Sequence, residues 1–289
     1  MADKREVDEA TQTETTGHEW DGIKELDTPM PKWWLWTLYG TIIWGVIYTI
    51  LMPAWPLVSG ATPGLLGYSS RQNVAAELAT ASAANAALDE RLVSGDLAAA
   101  AKDPELLRYA TAGGAAVFRN NCAPCHGAGA GGVIGHYPNL LDNDWLWGGD
   151  VETIQQTVTH GIRFDADDET RVGEMPAFDG VLEPAQIDGL VQYVLSLSGH
   201  AEDPALAAAS HPLFADNCAA CHGDDGKGMR DVGSANLTDA IWLYGSDPAT
   251  IHATILHGRH GQMPAFGARL SPADIAKVAI YVNTLGGGE

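Results

Sequence analysis

Asn121-Cys-Ala-Pro-Cys-His-Gly127 and Asn217-Cys-Ala-Ala-Cys-His-Gly223 are two copies of one string, and together they hold all 4 cysteines of the 289-residue chain. Outward from the strings the copies keep matching. Asn139-Leu140 pairs with Asn236-Leu237, and Trp145-Leu-Trp-Gly-Gly-Asp150 with Trp242-Leu-Tyr-Gly-Ser-Asp247. His160-Gly161 pairs with His257-Gly258, Met175-Pro-Ala-Phe178 with Met263-Pro-Ala-Phe266, and Tyr193-Val194 with Tyr281-Val282. Partners lie 96 to 97 residues apart up to the histidines and 88 apart after them. The first copy therefore carries an extra segment of about nine residues around Arg163 to Glu174. Two homologous domains follow, split near Gly199 to Pro204.

Two thiols one helical turn apart, followed at once by an imidazole, form the attachment string for c-type haem. The thiols reach the two vinyl groups of one porphyrin, and the histidine lies over the iron as proximal ligand. A structural zinc site needs four ligands in compact clusters, whereas the second pair of thiols lies about a hundred residues from the first. Cys122, Cys125 and His126, and Cys218, Cys221 and His222, are thus the expected holders of two covalently bound haem c groups. No cysteine remains for a structural disulfide.

Each iron also needs a sixth ligand. Met175 and Met263 are the only methionines at equivalent repeat positions, and a thioether favours ferrous iron and raises the potential. His160 and His257 also recur and are the rivals, each at a helix end where a histidine suits the helix dipole or packs on a haem edge. Whether each methionine serves its own domain or the neighbour stays open. Met229 has no counterpart and reads as a loop residue. His136, His200, His211, His252 and His260 are unmatched and read as surface residues. Phe118, Phe214, Trp145, Trp242, Tyr193 and Tyr281 read as pocket or core residues without catalytic work.

Each copy has one helical plan. A helix leads into the cysteines (Pro104 to Asn120; Pro204 to Asn217), and a glycine-rich loop follows. A short middle helix ends at His160 or His257. A last helix starts with Pro184 or Pro272 at its first position, with Ser271 and Asp274 spaced to cap the second. Its apolar face recurs at helical spacing: Ile187, Leu190, Val191 and Val194; Ile275, Val278, Ala279 and Val282.

Ahead of the repeats, no charged side chain occurs from Trp33 to Ser70. Trp33 to Met52 has the length a helix needs to cross the hydrocarbon layer, with tryptophans at both ends and Pro53 and Pro56 to stop it. The preceding head is too long, and too short of a small-residue cleavage site, for a signal peptide. Lys4, Arg5, Lys24 and Lys32 in the head, against Arg71 beyond the span, place the N-terminus in the cytoplasm. From Gln72 to Ala101 an Ala-rich helix reads as a spacer with a broken stripe of Leu78, Leu88 and Leu92. The chain has 16 Lys+Arg against 37 Asp+Glu, net −21. That surface repels phosphate backbones, so no nucleic-acid partner is expected, and it suits basic proteins.

One anchor followed by two such domains resembles the CcoP/FixP subunit (subunit III) of cbb3-type cytochrome c oxidase. His18-Glu-Trp-Asp-Gly-Ile-Lys-Glu-Leu-Asp27 with Pro29, Pro31, Trp33 and Trp34 resembles that family's pre-anchor motif, and Gly64-Leu-Leu-Gly-Tyr-Ser-Ser-Arg71 its post-anchor motif. The resemblance implies a mainly α fold with one N-terminal transmembrane helix and two tandem class I cytochrome c domains. The expected boundaries are a cytoplasmic segment 1–32, an anchor 33–56, a linker 57–103, and cytochrome domains 104–200 and 201–289. It implies electron transfer from a donor cytochrome c, through a mono-haem cytochrome c subunit, to a haem–copper catalytic subunit. It places the chain in the bacterial inner membrane with both haem domains in the periplasm.

The one membrane helix contains no histidine, so oxygen reduction is not expected of this chain alone. A di-haem carrier of another respiratory complex, such as a quinoprotein dehydrogenase, is the alternative; the head and post-anchor strings speak against it. A di-haem peroxidase needs one exchangeable sixth site, which two matched Met-Pro-Ala-Phe strings do not leave.

Overall fold

The computed structural model describes residues 5–287. Its chain divides into two compact units at Ser82 and Ala83. In the first, Asp21 (φ 51°) and Gly22 (φ 84°) form a two-residue turn. Left-handed backbone at both positions matches the twist of the flanking strands, so β1 (Thr15–Trp20) folds back on β2 (Ile23–Leu26) as an antiparallel hairpin. Lys24 pairs with Glu6 at 2.5 Å and Arg5 with Asp27 at 3.7 Å.

Helix α1 (Lys32–Leu51) has 20 residues and buries none of them. At about 1.5 Å per residue it spans roughly the 30 Å of a hydrocarbon core. The helical part stops at Leu51, and Pro53 and Pro56 fall in the loop beyond. The chain then turns back. Leu65 N donates to Ile50 O and Leu66 N to Leu51 O, each at 3.0 Å, satisfying carbonyls that a helix end leaves orphaned. Gly64 (φ 70°) allows this return, since a Cβ there would strike the Leu51 carbonyl. A small hairpin, β3 (Pro56–Leu57) with β4 (Gly60–Ala61), lies inside the loop.

Helix α2 (Ser70–Ser94) carries the Ala-rich segment. Leu78 is exposed, as a spacer residue would be, but Leu92 is buried and Leu88 packs beside it. The last turns of α2 are therefore a packed part of the second unit, correcting the spacer expectation there. Its glutamates and alanines left Leu88 and Leu92 looking isolated; the partner face lies on helices far along the chain. A short α3 (Leu97–Ala100) follows, capped by Asp96.

The repeats then form α4 (Pro104–Asn121), α5 (Ala123–His126), α6 (Val151–His160) and α7 (Pro184–Leu197), and again α8 (Pro204–Asn217), α9 (Ala219–His222), α10 (Pro248–His257) and α11 (Pro272–Asn283). Equivalent caps start equivalent helices. Asp103 and Asp203 accept from the first amides of α4 and α8, and Asp150 and Asp247 from Thr153 and Thr250 of α6 and α10. Ser271 Oγ accepts from Asp274 N at 3.1 Å, the cap expected for the last helix.

The packing crosses the repeat boundary. α4 of the first copy lies on α11 of the second, and α8 of the second on α7 of the first. One core joins Phe118, Ile154, Val158, Phe266, Val278 and Ile280. The other joins Phe178, Ile187, Leu190, Phe214, Ile251 and Ile255. Small residues let the helices approach. A Cβ at Gly114 would strike the Lys277 carbonyl, and one at Gly189 would strike Ser210 Oγ. Gly114 and Ser210 are equivalent positions, as are Gly189 and Lys277. Each crossing therefore sets a glycine of one copy against a larger residue of the other.

Lys277 is buried at the first crossing, its side chain 10% exposed. Its Nζ lies 2.7 Å from Asp89 Oδ1 and 3.6 Å from Asp274 Oδ1, and 4.8 Å from the centre of the Tyr109 ring. The Tyr109 hydroxyl donates to the same Asp89 oxygen at 2.7 Å. This group ties the end of α2 to α4 and α11.

Candidate functional site

Each attachment string is one short turn of helix after a long one. Cys122 N donates to Phe118 O at 2.8 Å and Cys218 N to Phe214 O at 2.8 Å. His126 Nδ1 lies 3.1 Å from Pro138 O, and His222 Nδ1 3.0 Å from Ala235 O. A carbonyl only accepts, so Nδ1 carries the proton in both and Nε2 keeps a bare lone pair. Burial lowers the pKa of both imidazoles, which favours that neutral, ligating form. Burial likewise pushes the Cys122 and Cys218 thiols up to about 11. An imidazole with a fixed tautomer beside two thiols is a donor set that fits haem c.

Each methionine packs on the core that also carries the other copy's string. Met263 packs on the core that holds Cys122 and Trp145, and Met175 on the core that holds Cys218 and Trp242. Backbone bonds fix the crossing twice over. Ile162 N donates to Met263 O at 2.9 Å and Met263 N to Ile162 O at 3.0 Å. Met175 N donates to Arg259 O at 3.0 Å and Arg259 N to Met175 O at 3.1 Å. Beyond them Phe266 N reaches Val158 O at 3.0 Å, and Phe178 N reaches Ile255 O at 3.2 Å. Gly161 and Gly258 (φ 71° each) end the middle helices, and a Cβ on either would collide with the carbonyl of Met263 or Met175. The recurring His-Gly pair thus serves the crossing through its glycine.

The histidines of that pair do different things. His160 Nδ1 lies 3.1 Å from Asp167 Oδ1 and its Nε2 3.2 Å from Glu169 Oε2, so the extra segment engages both ring nitrogens. His257 is exposed. Of the unmatched histidines, His136, His200, His211 and His260 are exposed, while His252 is half-buried, 3.7 Å from Asp188. Met229 lies in a loop, as expected. Phe118 and Phe214 are each 1% exposed, and Trp145 and Trp242 pack against the two cores.

Two arginines escaped the sequence reading. Arg171 lies over the Trp147 ring at 5.0 Å and donates to Thr157 Oγ1. Arg259 lies over the Tyr244 ring at 4.0 Å and donates to Thr254 Oγ1. Trp147 and Tyr244 are equivalent positions, and so are Thr157 and Thr254. Each arginine precedes its methionine by four residues, and that spacing was the available signal. The extra segment is therefore best bounded as Ile162 to Thr170, with Arg171 resuming the repeat.

Comparison with known proteins places this arrangement. The model for cytochrome c oxidase, cbb3-type, subunit III matches residues 110–194 and again 205–282. The chain belongs to the cbb3-type cytochrome c oxidase subunit III family. The model for the N-terminal domain of cytochrome oxidase-cbb3, FixP, matches residues 12–59, which include the first hairpin and α1. A cbb3-type cytochrome c oxidase subunit CcoP from Cereibacter sphaeroides is 60% identical, over 95% of each chain. One from Rhodobacter capsulatus is 56% identical, over 96% of this chain and 97% of its own. A subunit FixP from Azorhizobium caulinodans is 53% identical, over 98% of this chain and 96% of its own. A subunit III chain is a c-type cytochrome of an oxidoreductase complex, so haem c binding and electron transport come with membership. Two tandem cytochrome domains after one N-terminal apolar helix are likewise shown.

Proposed function

We propose that this chain carries two covalent haem c groups and relays electrons from a donor cytochrome c, through a mono-haem cytochrome c subunit, to the haem–copper subunit of its oxidase. The observation that supports it is the pair of reciprocal Met crossings, each seating a methionine on the core that also carries the other copy's Cys-x-x-Cys-His string. Cys122, Cys125 and His126 with Met263 would hold one haem; Cys218, Cys221 and His222 with Met175 would hold the other. Bound haem c supplies a one-electron iron couple. The chain's own part is to fix Nε2 of each histidine through the carbonyls of Pro138 and Ala235, and the methionines would offer the iron a soft sulfur ligand. The chain also covers both with apolar side chains, which holds the potential up.

The anchor reading goes with it: α1 crosses the inner membrane with the head in the cytoplasm and both haem domains in the periplasm. Oxygen reduction belongs to the haem–copper partner, because the one spanning helix offers no histidine for such a centre. Ligand assignment is tested in the matured subunit. Met263→Leu should remove the sulfur-to-iron band and lower the potential of the haem on Cys122 and Cys125, while Met175→Leu does so for the haem on Cys218 and Cys221. Variants lacking one pair of cysteines tell the two haems apart. If each change struck the haem of its own repeat, the exchanged assignment would be wrong.

A further inference from the structure

We propose that Arg171 and Arg259 are the anion clamps of the two haem sites, each directing its guanidinium to a haem propionate. The inference rests on the haem reading above and concerns what holds the cofactor's carboxylates. Three observations lead to it.

The first is pairing. In a chain with 37 acidic residues against 16 basic ones, a half-buried arginine would ordinarily find a carboxylate. Among the described residues neither Arg171 nor Arg259 forms an ion pair. Arg171 donates through Nε to Thr157 Oγ1 at 3.2 Å and through Nη2 to Gln156 Oε1 at 3.0 Å. Arg259 donates through Nε and Nη2 to Thr254 Oγ1, at 3.0 and 2.7 Å. Nη1 of both has no protein acceptor among the described residues. A guanidinium held on an aromatic face and a hydroxyl, with an unused donor edge, is prepared for a planar anion.

The second is repetition. The first copy is nine residues longer between its glycine and its arginine, yet it restores the same Arg–aromatic–Thr bracket. Isolated surface arginines have no reason to keep such a geometry across an insertion. The backbone shows where the extra segment leaves and rejoins: Arg163 N donates to Arg171 O at 2.6 Å.

The third is place. Thr157 is adjacent to Val158, whose carbonyl receives Phe266 N, and Thr254 is adjacent to Ile255, whose carbonyl receives Phe178 N. Each guanidinium is therefore anchored within one helical turn of the exchanged methionine string. Each arginine stays on the middle helix and the aromatic ring of its own copy while the methionine four residues later crosses over. The acidic groups that could compete are few. Asp150 acts on Arg171 from beyond ion-pairing distance, and burial of Arg171 opposes its charge.

The test uses the matured, haem-loaded subunit. Arg171→Gln should lower the potential of the haem on Cys122 and Cys125, and Arg259→Gln that of the haem on Cys218 and Cys221. In each, a potential that is flat between about pH 6 and pH 8 should acquire a slope, because an unclamped propionate protonates at higher pH. The propionate bending bands of that haem should shift in resonance Raman spectra. Arg→Lys at either position should recover most of the potential and little of the band position. Unchanged potentials and bands, with two low-spin haems present, would overturn the proposal and leave the haem reading intact. A fall in potential without a pH slope or band shift would also overturn it, as a through-space charge effect. So would an effect seen only in the assembled oxidase, which would assign the anion to a partner subunit. If a Gln variant fails to load haem, Thr157→Val and Thr254→Val keep the charge and free the guanidinium; unmoved propionate bands in both would overturn the clamp. Absence of low-spin haem from the unaltered chain would count against the ligand reading itself.

Discussion

The ring of Phe118 lies 5.5 Å from that of Tyr281, and the ring of Phe214 lies 4.7 Å from that of Tyr193. Phe118 and Phe214 occupy equivalent positions in the two repeats, as do Tyr193 and Tyr281. Each aromatic pair thus joins the first helix of one copy to the last helix of the other. Buried aromatic pairs contribute about 1 kcal/mol beyond their area burial. A double-mutant cycle of Phe118→Leu with Tyr281→Leu should therefore show a coupling of about 1 kcal/mol in denaturant unfolding. Phe118→Leu with Tyr193→Leu should be additive within about 0.5 kcal/mol. Coupling in the second cycle and none in the first would mean that each repeat closes on itself.

Gly161 and Gly258 carry the methionine crossings. At φ 71° a side chain is strained by about 1–2 kcal/mol, and a Cβ would also displace the carbonyl it meets. Gly161→Ala should loosen Met263 and raise the five-coordinate fraction of the haem on His126. Gly258→Ala should do so for the haem on His222. Magnetic circular dichroism of the matured subunit separates the two coordination states. An effect on the haem of the wrong string would reverse the assignment.

Much of this was legible. The repeat located the leading, middle and last helices of both copies, α4, α6 and α7 and then α8, α10 and α11, because matching strings form matching elements; the single turns α5 and α9 were read only as the cysteine strings. The exchange was not legible, because identical side chains at equivalent positions do not say which copy they pack against. Phe118 suits either tyrosine. The deciding difference lies at Gly114, Ser210, Gly189 and Lys277. Packing within one copy would face glycine with glycine and serine with lysine; the crossed packing places a glycine at each close approach, Gly114 against the Lys277 backbone and Gly189 against Ser210. The first hairpin was missed for another reason. Asp21-Gly22 is a strong two-residue turn signal, but the head was read only as a motif. Arg171 and Arg259 were hidden by the extra segment, which moves the first arginine away from the His-Gly mark.

Lys277 tests the tie between α2 and the repeats. Removing Asp89 leaves the buried Lys277 charge with Asp274 alone, at 3.6 Å; breaking a fully buried pair costs about 3–5 kcal/mol, and with Asp274 remaining and Asp89 partly exposed the expected loss for Asp89→Asn is about 2 kcal/mol. Asp89→Asn with Lys277→Met should be closer to the parent than Asp89→Asn alone. Thermal unfolding of the four proteins checks it, and a double variant less stable than either single one would show the pair to be stabilising in itself.

Asp144 gives a pH dependence of defined sign. It lines a cleft of about 250 Å³ with Lys227, Arg230 and Asp239. Burial, then the charges of Asp239 and Asp142, raise its carboxyl to about 6. A raised carboxyl costs stability where it is ionised in the fold: fully above about pH 6, and not at all below its unfolded value near 4. Asp144→Asn should therefore stabilise the protein by about 1 kcal/mol at pH 7, after allowance for its partial exposure. The gain should shrink as pH falls from 6 to 4. A gain independent of pH, measured by denaturant unfolding at pH 4.5 and 7.5, would remove Asp144 as its source.

The last prediction concerns the donor cytochrome. Of the acids in and just after the extra segment, Asp165, Asp168, Glu169 and Glu174 are exposed, whereas Asp167 is half-buried against His160. Asp167 and Glu169 therefore hold the segment in place through His160, and Asp165, Asp168 and Glu174 present the field. A field of one sign raises the encounter rate with an oppositely charged partner by roughly ten- to a thousand-fold at low salt. The gain fades as the Debye length falls from about 10 Å at 0.1 M to about 3 Å at 1 M. Stopped-flow reduction by a basic cytochrome c should thus slow with added salt. Asp165→Asn with Asp168→Asn and Glu174→Gln should flatten that slope and leave the potentials unchanged, since rim charges act on association. Asp167→Asn alone should change the slope less but loosen the segment, exposing its backbone to faster hydrogen exchange. An unaltered slope in the triple variant would mean that a basic donor docks elsewhere, and the cluster of Asp188, Glu202 and Asp203 lining a second cleft would be the next surface to neutralise.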